Sequence, residues 1–248
     1  MNADYLNSAK QQFQYYKQIG DKTMAQLSDE QLYWQYNDAS NSIAILVKHL
    51  WGNMMSRWTD FLTTDGEKDF RKRDEEFKLS VGPSLQGVDT DIAEGVDNDT
   101  EGVDNDTEGV DNTADGVNTD IAEGVDTNIA EGVDKNVRDV TNEHSRAVIT
   151  ERWELGWACL FTALDSINEE NFDITVYIRN QGHTIPEAVN RQMMHYAYHV
   201  GQMVYLGRIM KGEDWQSLSI PKGNSKVYNA EKFAQEKGKR HFTDEYLK

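Results

Sequence analysis

The stretch from Gly87 to Asp134 holds sixteen Asp or Glu residues and no Lys or Arg. Such a segment has little apolar surface to bury, so a core must come from the two blocks that flank it. Setting those sixteen aside from the 43 acidic residues leaves 27 acids against 25 Lys and Arg. The net charge of −18 is therefore local. The remainder gives no electrostatic reason to expect nucleic-acid binding.

Residues 87–138 are a tandem repeat, with "EGVDNDT" at 94–100 and 101–107 and "IAEGVD" at 92–97, 121–126 and 129–134. Its valines recur on average about every 7.5 residues, a period that favours right-handed supercoiling if the segment coils at all. Each valine from Val88 to Val133 follows a glycine, and each glycine costs a helix about 1 kcal/mol relative to alanine. Two readings stand: a disordered acidic insert, which that cost favours, and a marginal helix in need of a partner stripe. No catalytic role is expected of the segment on either reading.

The flanking blocks read as helix. Leu6, Ala9, Phe13, Tyr16, Met24 and Leu27 fall on helical spacing, and "LSDEQLYW" then breaks the pattern. A second helix starts near Ser40 or Ser42, carries Ile43, Val47, Leu50, Met54, Trp58 and Phe61, and stops before Gly66. Ser145 to Ile167 form a third, with Ile149, Trp153, Leu160 and Leu164 in register. In the fourth, Thr184 and Glu187 spell a capping box with Pro186 in the first turn, and Gly212 stops the helix. Four amphipathic helices of about 20 residues predict an all-α four-helix bundle. Residues 1–80 give its first half, 87–138 the acidic segment, 143–212 the second half and 213–248 a loop and charged tail.

The spacing of the fourth helix makes Val189, Met193, Ala197, Val200 and Val204 its apolar stripe. His195 and His199 lie roughly 130° from the centre of that stripe, on a face shared with Gln192 and Gln202. His49 is displaced by about 120° from the stripe of the second helix. Two histidines at i and i+4 project from adjacent turns of one face, and a third nitrogen from another helix completes a site with an open position. An H-x-x-x-H pair arises by chance on many helices, so spacing alone favours ordinary surface or hydrogen-bonded histidines.

"VKHLWGNMMSRWTDFLTTDGEKDFRKRDEEF", "GHTIPEAVNRQMMHYAYHVGQMVYL" and "KGEDWQSLSIPKG" together resemble the DinB/YfiT-like superfamily, and within it a bacterial subfamily of unassigned activity. The resemblance covers roughly residues 1–80 and 143–225 as a motif-level match, and leaves out the acidic repeat. It implies a bundle in up-down-down-up order with a long crossover between helices two and three, where the repeat falls. It also implies a metal triad whose positions are matched here by His49, His195 and His199, for one divalent ion, nickel or zinc. Related bundles resemble thiol S-transferases and a thiol-dependent isomerase. The expected partners are therefore a low-molecular-weight thiol and a small electrophile, and the expected assembly is a homodimer.

Two alternatives stay open. One is a non-catalytic metal-binding or stress-associated dimeric protein. The other is a metal-dependent hydrolase, which ranks lower because no Asp or Glu shares the face of His195 and His199. His183 precedes the fourth helix and reads as an exposed loop residue, while His144 and His241 fall in segments expected to be mobile. The lone Cys159 reads as a core residue and fits a reducing cytoplasm. No run of about 18 apolar residues occurs, so no membrane span is expected. The start "MNADYLNSAKQQ" lacks the pattern of a secretory leader.

Overall fold

Two hydroxyl caps set the helices that matter most to the site. Ser42 Oγ accepts the N–H of Ile45, and Thr184 with Glu187 closes a reciprocal capping box, so that orphan donors of both first turns are satisfied. The computed structural model describes residues 2–78 and 145–247. The acidic repeat at 87–138, with both readings of its conformation, and His144 lie outside the described residues.

Among the described residues the chain is mostly helical, with one small sheet. The helices are α1 (Asn2–Met24), α2 (Asp29–Tyr33), α3 (Ile43–Trp58), α4 (Arg73–Glu76), α5 (Arg146–Asp165), α6 (Ile185–Lys211) and α7 (Ser225–Phe233). Short 3-10 turns follow at Gly212–Asp214 and Phe242–Glu245. The sheet is a hairpin of β1 (Thr175–Ile178) and β2 (Gln181–Thr184), antiparallel with Val176 opposite His183. It is a small addition to a chain whose described residues are otherwise helical, broadly as the expectation of an all-α fold has it. The hairpin forms because Arg179 and Asn180 both take positive φ, at 53° and 61°, the backbone that a two-residue turn with the right-handed strand twist requires. Asp65 holds that turn by accepting the N–H groups of Arg179 at 2.8 Å and Asn180 at 2.7 Å.

The four long helices share one core, in which Phe13, Leu50, Trp157, Leu160 and Tyr196 have no measurable exposure. Side-chain contacts fix the helix directions. Tyr5 donates to Asn190 Oδ1, and Thr23 lies beside Gly207, so α1 and α6 run the same way. Trp51 and Met54 meet Gly156, and Thr59 meets Cys159, so α3 and α5 also run together. Lys10 pairs with Asp165 and Lys17 with Glu154, which makes α1 and α5 antiparallel.

The inward face of α6 differs from the apolar stripe expected for it. The buried residues are Ile185, Ala188, Val189, Gln192, Tyr196, His199, Val200, Met203 and Gly207. At 100° per residue this face is turned by roughly 75° toward the histidines. Polar side chains cause the rotation, because they face inward where partners exist. Tyr196 Oη accepts from Trp58 Nε1 at 2.9 Å and donates to Asn53 Oδ1 at 3.0 Å. The tail is also tied down: His241 Nε2 lies 2.9 Å from Ser8 Oγ, and Tyr15 packs against Phe242 and Tyr246. No helix among the described residues is long and apolar enough to cross a membrane.

Candidate metal centre

His49 lies in the second turn of α3, and His195 and His199 lie one turn apart on α6. The packing of these two helices brings together the three imidazoles that the sequence reading had named. Ring centroids are 5.3 Å apart for His49 and His195, 4.8 Å for His49 and His199, and 4.7 Å for His195 and His199. The closest approach is at Nε2. His195 Nε2 is 3.3 Å from His49 Nε2 and 3.0 Å from His199 Nε2. Among the described residues, these three form the one group whose donor atoms all lie within 4.8 Å of one another. His183, on β2, does not join them.

The other ring nitrogens are occupied, and that decides what Nε2 presents. His49 Nδ1 is 2.8 Å from Glu76 Oε2, and a carboxylate only accepts, so Nδ1 carries the proton. His199 Nδ1 donates to Gln202 Oε1 at 2.8 Å. Both Nε2 atoms therefore carry bare lone pairs directed at His195 Nε2. A proton there can bridge to only one of them. A cation shared by all three nitrogens satisfies the set, so the donors fit a divalent ion. Close by, Arg71 Nη1, and Gln192 Oε1 on the same inward face of α6 as His199, are buried with no hydrogen-bond partner among the described residues.

The electrostatics point the same way. Burial, followed by the neighbouring His199 and His49 and then Arg71 and Arg57, pushes the His195 imidazole down to about 2. Burial and His49 take His199 down to about 4, against the hydrogen bond it donates to Gln202. Both rings are neutral at pH 7, as ligands must be.

Glu76 is the site residue that sequence reasoning missed. It ends the short helix α4, which Lys48 anchors by donating to Glu75 O at 2.6 Å. Arg71 grips the carboxylate with two bonds, Nε to Oε1 at 2.8 Å and Nη2 to Oε2 at 3.0 Å. Burial raises the Glu76 carboxyl, but hydrogen bonds from His49 and Arg71 outweigh it and hold the group below its ordinary range. Room for this buried carboxylate comes from Gly52, where a Cβ would overlap Glu76 Oε1. A glycine three residues after His49, on the same helix face, is the trace this leaves in the sequence.

The model of DUF1572, a family of proteins of unknown function, matches residues 1–88 and 128–224. The chain belongs to DUF1572. The match takes in the whole histidine cluster, Glu76, Arg71 and Gly52 of this DUF1572 member, and leaves out residues 89–127 and everything after 224. No curated protein and no solved structure matches the chain significantly.

Proposed function

We propose that this DUF1572 member is a divalent-metal-binding protein of the DinB/YfiT-like superfamily, and that it acts as a metal-dependent transferase using a low-molecular-weight thiol. The observation that carries the reading is the convergence of three Nε2 atoms, two of them with their Nδ1 protons already committed. Membership of DUF1572 is consistent with that superfamily. The pairwise helix directions support an up-down-down-up four-helix bundle with the acidic repeat inserted in the crossover between its second and third long helices. Nickel and zinc both suit a three-imidazole donor set.

When bound, such an ion supplies Lewis acidity, which favours the thiolate form of a coordinated thiol at neutral pH without a protein cysteine. The residues of this chain do the holding and orienting. His49, His195 and His199 bind, Glu76 and Gln202 fix two of the rings, and Arg71 fixes Glu76. A hydrolase ranks lower, because both Glu76 oxygens are engaged by His49 and Arg71 and are not free to take a proton from water. The test is metal analysis of untagged protein, followed by turnover of a chromogenic electrophile with a panel of small thiols. One equivalent of nickel or zinc and metal-dependent turnover are expected. Equal rates with and without metal reject the transferase, and protein that takes up no ion rejects the centre itself.

A further inference from the structure

We propose that Phe77 and Tyr198 form an aromatic clamp beside the histidine cluster that selects ligands carrying an aromatic group. The inference rests on the metal-binding reading above and adds the substrate class. Phe77 follows α4, and its ring lies 4.8 Å from the His49 ring at an interplanar angle of 32°. Tyr198 lies on α6, with its ring 4.9 Å from that of His199 at 67°. The two rings thus touch different members of the triad and come from different parts of the fold.

Their exposure is what calls for an explanation. His49 and His199 are 7% and 8% exposed, whereas Phe77 and Tyr198 are 42% and 55% exposed. A ring that serves only to shield an imidazole gains most by burying itself in the core. These two instead keep about half of their surface in water while standing directly against the candidate ligands. Exposed apolar surface next to convergent polar groups is the usual make-up of a small-molecule site. The sequence gives both residues ordinary alternatives, since Phe77 stands among charged residues and Tyr198 on a polar flank of α6.

The chemistry that suits two half-exposed rings is another ring. Offset or edge-to-face aromatic pairs gain roughly threefold to tenfold in affinity per pair beyond simple area burial. A ligand whose thiol or other donor reaches the triad, with an aromatic group one or two bonds away, would bring that group beside the imidazoles that the two rings touch. An aliphatic ligand of the same donor meets the triad alone.

The test uses the full untagged chain loaded with cobalt(II), whose visible spectrum reports ligands at the ion without any turnover. Benzyl mercaptan and ethanethiol are titrated in parallel. Benzyl mercaptan should bind roughly tenfold or more tightly, as two aromatic contacts allow. Phe77→Ala and Tyr198→Ala should each remove most of that preference while leaving the affinity for ethanethiol and the thiol-free cobalt spectrum unchanged. Phe77→Leu and Tyr198→Leu retain bulk, so loss of preference in them as well marks the aromatic face as the cause. Should Phe77→Ala fail to hold cobalt, the Leu variants and Tyr198→Ala carry the comparison. Equal affinities for the two thiols in the parent protein, or a preference untouched by all four substitutions, overturn the clamp alone. A parent protein with no cobalt spectrum overturns the metal centre and the clamp with it.

Discussion

Glu76 Oε2 stands 2.8 Å from Nδ1 of His49, and both groups are buried. That bond fixes the ring's tautomer and turns Nε2 toward α6. Loss of such an outer partner of a ligating histidine typically costs about 10–100-fold in metal affinity. Glu76→Gln should therefore lower affinity by that order while far-UV circular dichroism stays unchanged. Competition with a chromophoric chelator measures it, and parent-like affinity in the variant removes Glu76 from the site.

Gly52→Ala offers an independent route to the same carboxylate. Alanine favours an α-helix by about 1 kcal/mol over glycine, so on propensity alone α3 should gain. The added Cβ meets Glu76 Oε1 and Cδ, however, and the helix backbone cannot yield. The expected outcome is weaker metal binding, by an amount close to that of Glu76→Gln, with α3 still formed. Tighter binding in Gly52→Ala would contradict the account of why a glycine stands there.

Much of this centre was legible in the sequence, and the reasons it was not wholly so are local. His195 and His199 are four apart, downstream of a capping box that fixes where α6 begins, so their shared face follows from helix geometry. His49 required knowledge of which faces of α3 and α6 meet, and family resemblance supplied it. Glu76 is 27 positions from His49, across turns that carry no periodic signal. Its only trace is Gly52. The hairpin was missed because Arg179-Asn180 occupies the turn where Asn-Gly would have announced it. Asp65 supplies from another loop the stabilisation that a glycine would have made unnecessary. The stripe expected for α6 counts apolar residues alone, whereas Tyr196, Gln192 and His199 also face in.

Tyr196→Phe tests that rotation. The hydroxyl links Trp58 Nε1 and Asn53 Oδ1 across α3 and α6, and all three side chains are buried. Removing it strands a donor and an acceptor in the core, at a cost of about 1–3 kcal/mol. The urea midpoint should fall with no change in slope. An unchanged midpoint would show that the two helices are held without this bond.

Asp65 gives a pH signature to the hairpin. Burial raises its carboxyl, but the N–H donors of Asn180, Glu67 and Arg179 outweigh it and hold the group below the ordinary aspartate range. A depressed folded pKa means that the contribution is fully present above the unfolded value of about 3.9. It is lost as pH falls through the lower folded one. The stability difference between the parent and Asp65→Asn should be constant at neutral pH and shrink toward zero in acid. Denaturant titrations at a series of pH values measure this, and a difference that grows in acid would reverse the assigned sign.

Cys159 separates the two possible sources of a thiol nucleophile. Its Sγ lies 3.6 Å from Thr59 Oγ1 and 3.8 Å from Met54 O, at the edge of the core. Burial pushes the thiol up, against the hydrogen bond to Thr59, so at neutral pH it stays protonated and unreactive. Iodoacetamide should label it slowly in the folded protein and quickly once urea unfolds the chain. Cys159→Ala should keep its bound metal and any thiol-dependent turnover within about twofold, as a conservative change remote from the chemistry does. His195→Ala, which removes the nitrogen nearest both others, should lose metal and turnover together. Turnover that disappears in Cys159→Ala while the metal stays bound would move the nucleophile from the added thiol to the protein.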